Sequence, residues 1–246
     1  GYIVDYHDSN QSIKKISNND INKTIEIANQ YDIVFVVVGD NSMRYTWSEK
    51  TAGENTARAE LNLAGKQLDL VKRLKETGKN IIVIYANGRP ISEPWISENI
   101  NAIIEVWEPG SFGGLATAEI IFGKVNPSGK LPLTIANSVG QLKMFYNHKH
   151  SMYYRNYAMN TNKPLYSFGF GLSYTKFEIS EPKLNSSKFK KGILSVSVDV
   201  KNIGEIAGDE IVQLYISDKY SSITRPVKEL KAFKRVSLKS GESKEI

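Results

Sequence analysis

Apolar positions between residues 17 and 135 follow two alternating patterns. Three continuous runs rich in β-branched residues are DIVFVVVGD (Asp32–Asp40), NIIVIYANG (Asn80–Gly88) and NAIIEVWEPG (Asn101–Gly110). Their length and composition predict strands, the first two buried on both faces. Before and between them the spacing is helical. Ile21, Ile25 and Ala28 predict a helix over Ser17–Tyr31. Leu68, Leu70, Val71 and Leu74 predict another, stopped by Gly78. Further helices are predicted over Ile91–Asn99 and Gly113–Phe122, and LPLTI (Leu131–Ile135) as a fourth strand. Strands separated by helices require crossover connections, hence an α/β fold with a mostly parallel sheet sandwiched by helices.

The pattern changes after Ala136. Residues 136–174 are rich in Tyr, Asn, His, Lys and Gly with little periodicity, and end in PLYSFGFGLSYT. A stretch this long without elements of its own wraps a surface or serves a site. Beyond it the period becomes two. GILSVSVDVKNIG (Gly192–Gly204), EIVQLYISD (Glu210–Asp218) and ELKAFKRVSL (Glu229–Leu238) alternate apolar and polar residues, with turn residues between them. They predict a small all-β sandwich of immunoglobulin or fibronectin type III style. The expected division is an α/β domain over 1–174 and a β-domain over 175–246, the latter incomplete for want of a final strand. No initiator Met or signal peptide opens the chain, which reads as a fragment cut at both ends.

Composition narrows the chemistry. Hydrophobic residues make up 41% and charged residues 24% of 246, a globular balance. With no cysteine, disulfides and thiolate-bound metal are excluded, while the compartment stays open. No apolar run approaches membrane-span length, so no membrane partner is expected. The net charge of +6 is spread thinly, with small clusters at Lys188–Lys191 and Lys228–Arg235. Solvated strand faces explain them better than a nucleic-acid groove. His148 and His150 lack ligands at metal spacing, and the chain has neither nucleotide-loop glycines nor a G-x-S-x-G elbow. No metal or organic cofactor is implied.

Candidate site residues follow from the topology. In parallel α/β sheets ligands sit beyond the carboxyl ends of the strands. Those ends carry GDNSMRYTWSE, ANGRP and WEPGSFGG. Asp40 can bond a ligand hydroxyl or cap its turn; Arg89 can organise polar groups; Trp107 can stack on a sugar face. Glu49 and Glu54 lie in the loop after the first strand. A carboxyl group beside aromatics such as Tyr45 and Trp47 can serve as a general acid. Spacing alone favours a plainer role, an acidic residue at the start of the next helix, with Glu54 and Arg58 as a helical ion pair.

The ordered motifs GEN-x-x-R-x-x-L-x-L-x-G-x-Q (from Gly53), NGRP, EPGSFGG, FGKVNPSGKLPLTI, SVGQL-x-x-FYNHK and PLYSFGFGLSYT resemble the C-terminal half of family 3 glycoside hydrolases. The resemblance runs from about Asp32 to the chain end, and its ordered set of motifs is far more specific than any one. It implies the second and third domains of a retaining, exo-acting β-glucosidase-like or β-xylosidase-like enzyme, without the N-terminal barrel that carries the nucleophilic Asp. A-G-E-N-T-A-R matches the family's S-G-E-G-x-D-R, which places the acid/base on Glu54. Asn55 and Ala57 depart from that pattern. An alignment with a longer loop would place it on Glu49 instead; Glu54 is favoured. The implied partners are an oligosaccharide or glycoside substrate and the missing barrel. Asp40, Arg58 and Trp107 are the candidate substrate-binding residues. A non-catalytic carbohydrate-binding or scaffolding fragment is the rival reading.

Overall fold

The computed structural model describes residues 3–8, 12–42, 47–150, 155–158, 160–185 and 194–246. By internal packing the chain forms two compact units. The first comprises Gly1–Gly114, Ile135–Met144 and Arg155–Tyr166. Tyr45 and the Lys188–Lys191 cluster lie outside the described residues.

The first unit is built on a parallel sheet of three strands in the order β1-β2-β3: β1 (Ile33–Gly39), β2 (Asn80–Ala86) and β3 (Ala102–Glu105). Ile33 stands opposite Asn80 and Gly39 opposite Ala86. Helix α1 (Asn18–Ala28) opens with a capping box. The Ser17 hydroxyl accepts from the Asp20 N–H, and the Asp20 carboxylate accepts from the Ser17 N–H. Helix α2 (Gln67–Glu76) closes where Gly78 takes the left-handed conformation, at φ 74°. Helix α3 (Pro94–Asn99) starts later than expected, because Pro94 suits a first helical position and suits no interior one.

Val36, Val38, Ile81, Val83 and Tyr85 form one core with Ala28 of α1, Val71 and Leu74 of α2 and Ile96 of α3. The expectation that β1 is buried on both faces is corrected. Ile33, Phe35 and Val37, pointing the other way, are 47%, 42% and 65% exposed. Strands laid down in sequential order with right-handed crossovers bring their helices to the same face. The third predicted strand is also shorter. The chain leaves the ladder after Glu105 and turns through Trp107, a left-handed residue at φ 53°.

Gly39 allows β1 and β2 to converge: a Cβ there would stand 1.8 Å from the Ala86 carbonyl oxygen. The buried Gln67 amide closes the strand end, accepting from the Gly39 N–H (2.8 Å) and donating to its carbonyl (2.9 Å).

The second unit comprises Leu115–Thr134, Phe145–Tyr154 and Ser167–Ile246. The chain passes into it within α4 (Gly113–Ile121). Antiparallel strands dominate: β4 (Phe177–Ile179), β5 (Lys183–Leu184), β6 (Val196–Ser197), β7 (Asp199–Asn202), β8 (Gly208–Ile216), β9 (Glu229–Leu238) and β10 (Ser243–Glu245). They pair as β10-β7-β4, β5-β6 and β8-β9. The stretch read as one strand over Gly192–Gly204 resolves into β6 and β7, because it changes partners at Val198. Gly192 itself lies outside the described residues. Val200, Val236 and Leu238 form the core, with Phe177, Val198, Val212 and Ile246 against it.

LPLTI is not a strand. Pro132 has no N–H to give to a ladder. Leu131 instead donates to the Phe170 carbonyl (2.8 Å) and accepts from the Gly169 N–H (2.8 Å). At Gly169, φ 79°, a Cβ would stand 2.2 Å from Gln213 Oε1. Gly169 thus lets the chain pack closely against Gln213. Phe168 stacks on Tyr146 at 4.2 Å.

Candidate active-site loop

Where the carboxyl ends of β1 and β2 meet the turn after β3, the first unit has a cavity of about 340 Å³. Among the described residues its wall is Ser42, Ala52, Gly53, Glu54, Gly88, Arg89 and Glu108. The sequence placed a site at this edge, and the cavity lies there.

The loop from Trp47 to Lys66 forms only a short 3₁₀ turn at Trp47–Glu49 before α2 begins at Gln67. Glu54 is thirteen residues ahead of α2, so it does not start that helix. The segment from Glu54 to Arg58 is not helical, and Arg58 donates to the Asn62 carbonyl and side-chain oxygens, both at 3.0 Å. The helical Glu54–Arg58 pair is therefore corrected. What shapes the loop is Lys50, which is 1% exposed. Its ammonium donates to the Glu54 carbonyl at 2.6 Å and sits 4.3 Å from the centre of the Trp47 ring. Burying an ammonium requires such partners.

The two glutamates have different settings. Glu54 is on the cavity wall. Glu49 is not; it forms an ion pair with Lys15 at 2.9 Å. The Ser12 hydroxyl and the Lys15 ammonium hold its carboxyl below the usual carboxylate range.

Asp40 and Arg58 also stand off the wall. The Asp40 side chain is fully buried, 2.8 Å from Arg89 Nε, and accepts from the Thr51 hydroxyl at 3.0 Å. Arg89 also donates to the Leu61, Asn62 and Pro90 carbonyls. Burial pulls the Arg89 pKa down and the Asp40 carboxylate opposes that. Asp40 thus holds Arg89, and Arg89 with Arg58 ties the loop at Asn62.

Trp107 is half-buried and off the wall, while its neighbour Glu108 is on it. The turn is held by Glu105, whose carboxylate accepts from the Trp107 N–H at 3.0 Å and lies 3.5 Å from the Asn87 amide nitrogen. Burial pushes the Glu105 carboxyl up to about 7, against the bonds from Trp107 and Asn87. Sequence reasoning passed over Ser42, Lys50 and Glu105. A lone polar residue beside a strand end carries no periodic signal, and its partners are distant in sequence. Among the described residues no cluster of three or more His, Asp or Glu side chains could hold a metal ion, and no helix is long and apolar enough to cross a membrane.

Residues 3–174 match the glycosyl hydrolase family 3 C-terminal domain, and residues 210–246 match a fibronectin type III-like domain. The chain therefore belongs to glycoside hydrolase family 3. A β-xylosidase from Formosa agariphila is 43% identical over 228 residues, covering 91% of this chain and 31% of that protein. The periplasmic β-glucosidase of Salmonella typhimurium is 38% identical over 237 residues, covering 92% of this chain and 30% of that one. Among solved structures, the Listeria innocua β-glucosidase in complex with isofagomine superposes with a TM-score of 0.85 at 33% identity, covering 95% of this chain and 33% of that one. The chain thus spans about a third of the length of these relatives.

Proposed function

We propose that this chain supplies the general acid/base loop of a retaining, exo-acting β-glycosidase, with Glu54 as the acid/base. Residues 1–174 then form the domain that carries the loop, and residues 175–246 the fibronectin-like domain. The observation that carries the reading is the cavity at the strand ends, which Glu54 lines and Glu49 does not. Glu49 is also the poorer acid, since its neighbours favour the ionised form.

In the first step Glu54 gives its proton to the glycosidic oxygen as the C1–O bond breaks and a carboxylate of the barrel bonds to C1. In the second, Glu54 takes a proton from water as the water oxygen bonds to C1 and the glycosyl–carboxylate bond breaks. Retention needs the two carboxyl groups roughly 5–5.5 Å apart. The nucleophile belongs to a barrel, so we expect the 246-residue chain alone to be inactive. Asp40 and Arg58 act as positioning residues behind Arg89 and Asn62.

β-Glucosides are the proposed substrates, in line with several glucosidase relatives. β-Xylosides are the second reading, favoured by the Formosa relative at 43% identity. The test joins the chain to a family 3 barrel and compares Glu54→Gln with Glu49→Gln. For a leaving group that needs protonation, Glu54→Gln is expected to lower kcat about 10²–10⁴-fold, with little change for Glu49→Gln. The reverse result moves the acid to Glu49; no loss in either variant removes the catalytic reading in favour of a binding or scaffolding role.

A further inference from the structure

Four features that no local sequence pattern requires converge on the carboxylate of Glu108. Trp107, a bulky residue, takes a left-handed φ of 53°, a conformation that such residues adopt only when the surroundings impose it. The Glu105 side chain imposes it by accepting the Trp107 N–H (3.0 Å), and the Asn87 N–H donates to the Trp107 carbonyl (3.0 Å). The turn delivers the next residue, Glu108, to the cavity wall. There the Ser42 hydroxyl donates to Oε1 of its carboxylate. Gly88 leaves the space: a Cβ at that position would stand 2.7 Å from the same Oε1. A surface glutamate needs none of this.

We propose that Glu108 is a specificity-determining residue that accepts hydrogen bonds from hydroxyls of a sugar leaving group. The assignment rests on the acid/base role proposed for Glu54. The leaving oxygen must lie at Glu54, so a carboxylate in the same cavity faces the leaving group. A carboxylate accepts only, and polyol hydroxyls are the donors a glycoside offers it. Ser42 engages Oε1, and Oε2 adds two further lone pairs. Glu105 is a positioning residue that acts through the Trp107 turn.

The test uses the chain joined to a family 3 barrel. It compares two substrates of one glycone, glucose or xylose, whichever is turned over faster: a 4-nitrophenyl β-glycoside and a β-linked disaccharide. Glu108→Gln removes the charge and turns one acceptor oxygen into a donor, so KM for the disaccharide should rise about tenfold. kcat should stay within about twofold, because the bond forms in ground and transition states alike. kcat/KM for the aryl substrate should change less than about twofold. Gly88→Ala, which crowds the carboxylate without touching its charge, should shift the disaccharide KM in the same direction. Equal losses on both substrates, or none on either, overturn the proposal. Glu54→Gln in the same fusion separates the two readings. If it abolishes leaving-group protonation while Glu108→Gln leaves the disaccharide unaffected, the acid/base reading stands and this inference falls. If the unmutated fusion turns over neither substrate, both fall.

Discussion

The helix-covered face of the β1-β2-β3 sheet and its carboxyl edge are both buried, by opposite means. The face is apolar: Val83, Val71, Leu74 and Ile96 are each 0% exposed and belong to one hydrophobic cluster. The edge buries Lys50, Asn87, Gln67 and Asp40, and every one is tied to a named backbone or side-chain partner. The face gains stability simply by excluding water. The edge spends burial on polar groups that need matched partners, and the gain is geometry: a loop of twenty residues with almost no secondary structure presents Glu54, and the turn after β3 presents Glu108, to one cavity.

This contrast can be broken from either side. The largest effect on stability belongs to the apolar face. Leu74→Ala should cost about 2–5 kcal/mol, read as a lowered denaturant midpoint of the 246-residue chain. A cost below about 1 kcal/mol would mean that the helix is not packed as described. The edge should respond to pH where the face does not. In the folded chain the Glu105 carboxyl titrates at about 7 because it is buried, against an ordinary value of 4.5. Below pH 4.5 it is protonated both folded and unfolded, and contributes nothing. Between 4.5 and 7 only the unfolded chain gives up the proton, so stability falls as pH rises, and the penalty levels off above 7. Glu105→Gln removes that penalty while keeping an acceptor for the Trp107 N–H. The variant should match the parent at pH 4 and be more stable by about 3 kcal/mol at pH 8. A constant difference across that range would show that Glu105 does not hold its proton. The smallest effect belongs to the opposite face of the sheet. Val37 is 65% exposed, so Val37→Ser should change stability by less than about 0.5 kcal/mol. A larger loss in the chain's melting temperature would show that this face is covered in solution.

Much of the first unit was legible because its elements carry a period. The apolar runs located β1 and β2, and the spacing of Ile21, Ile25 and Ala28 located α1 within a few residues. What failed had local and nameable causes. Pro132 kept LPLTI out of a ladder, and β3 stopped short because its exit residue is left-handed. That β1 is open on one face was hidden for a different reason. A β-branched run looks the same whether one face or both are covered, and strand order, which decides it, is not written in any single strand.

The site divides in the same way. The candidate edge followed from chain topology, as did the candidacy of Asp40 and Trp107, while the motifs added Glu54, Glu49 and Arg58. Ordered motifs, each a local string, were enough to place the chain in its family. Which of those residues reach the cavity was decided only in three dimensions. Glu49 and Glu54 are five positions apart in an irregular loop, where no period assigns a face. Their difference comes from Lys15, thirty-four residues away from Glu49, and from the buried Lys50 beneath Glu54. Glu108 reaches the wall because Glu105, Asn87, Ser42 and Gly88 meet around one turn. Periodicity is a property of neighbours along the chain. Placing a charge in a cavity depends on neighbours across it, and that information exists only once the strands have been laid side by side.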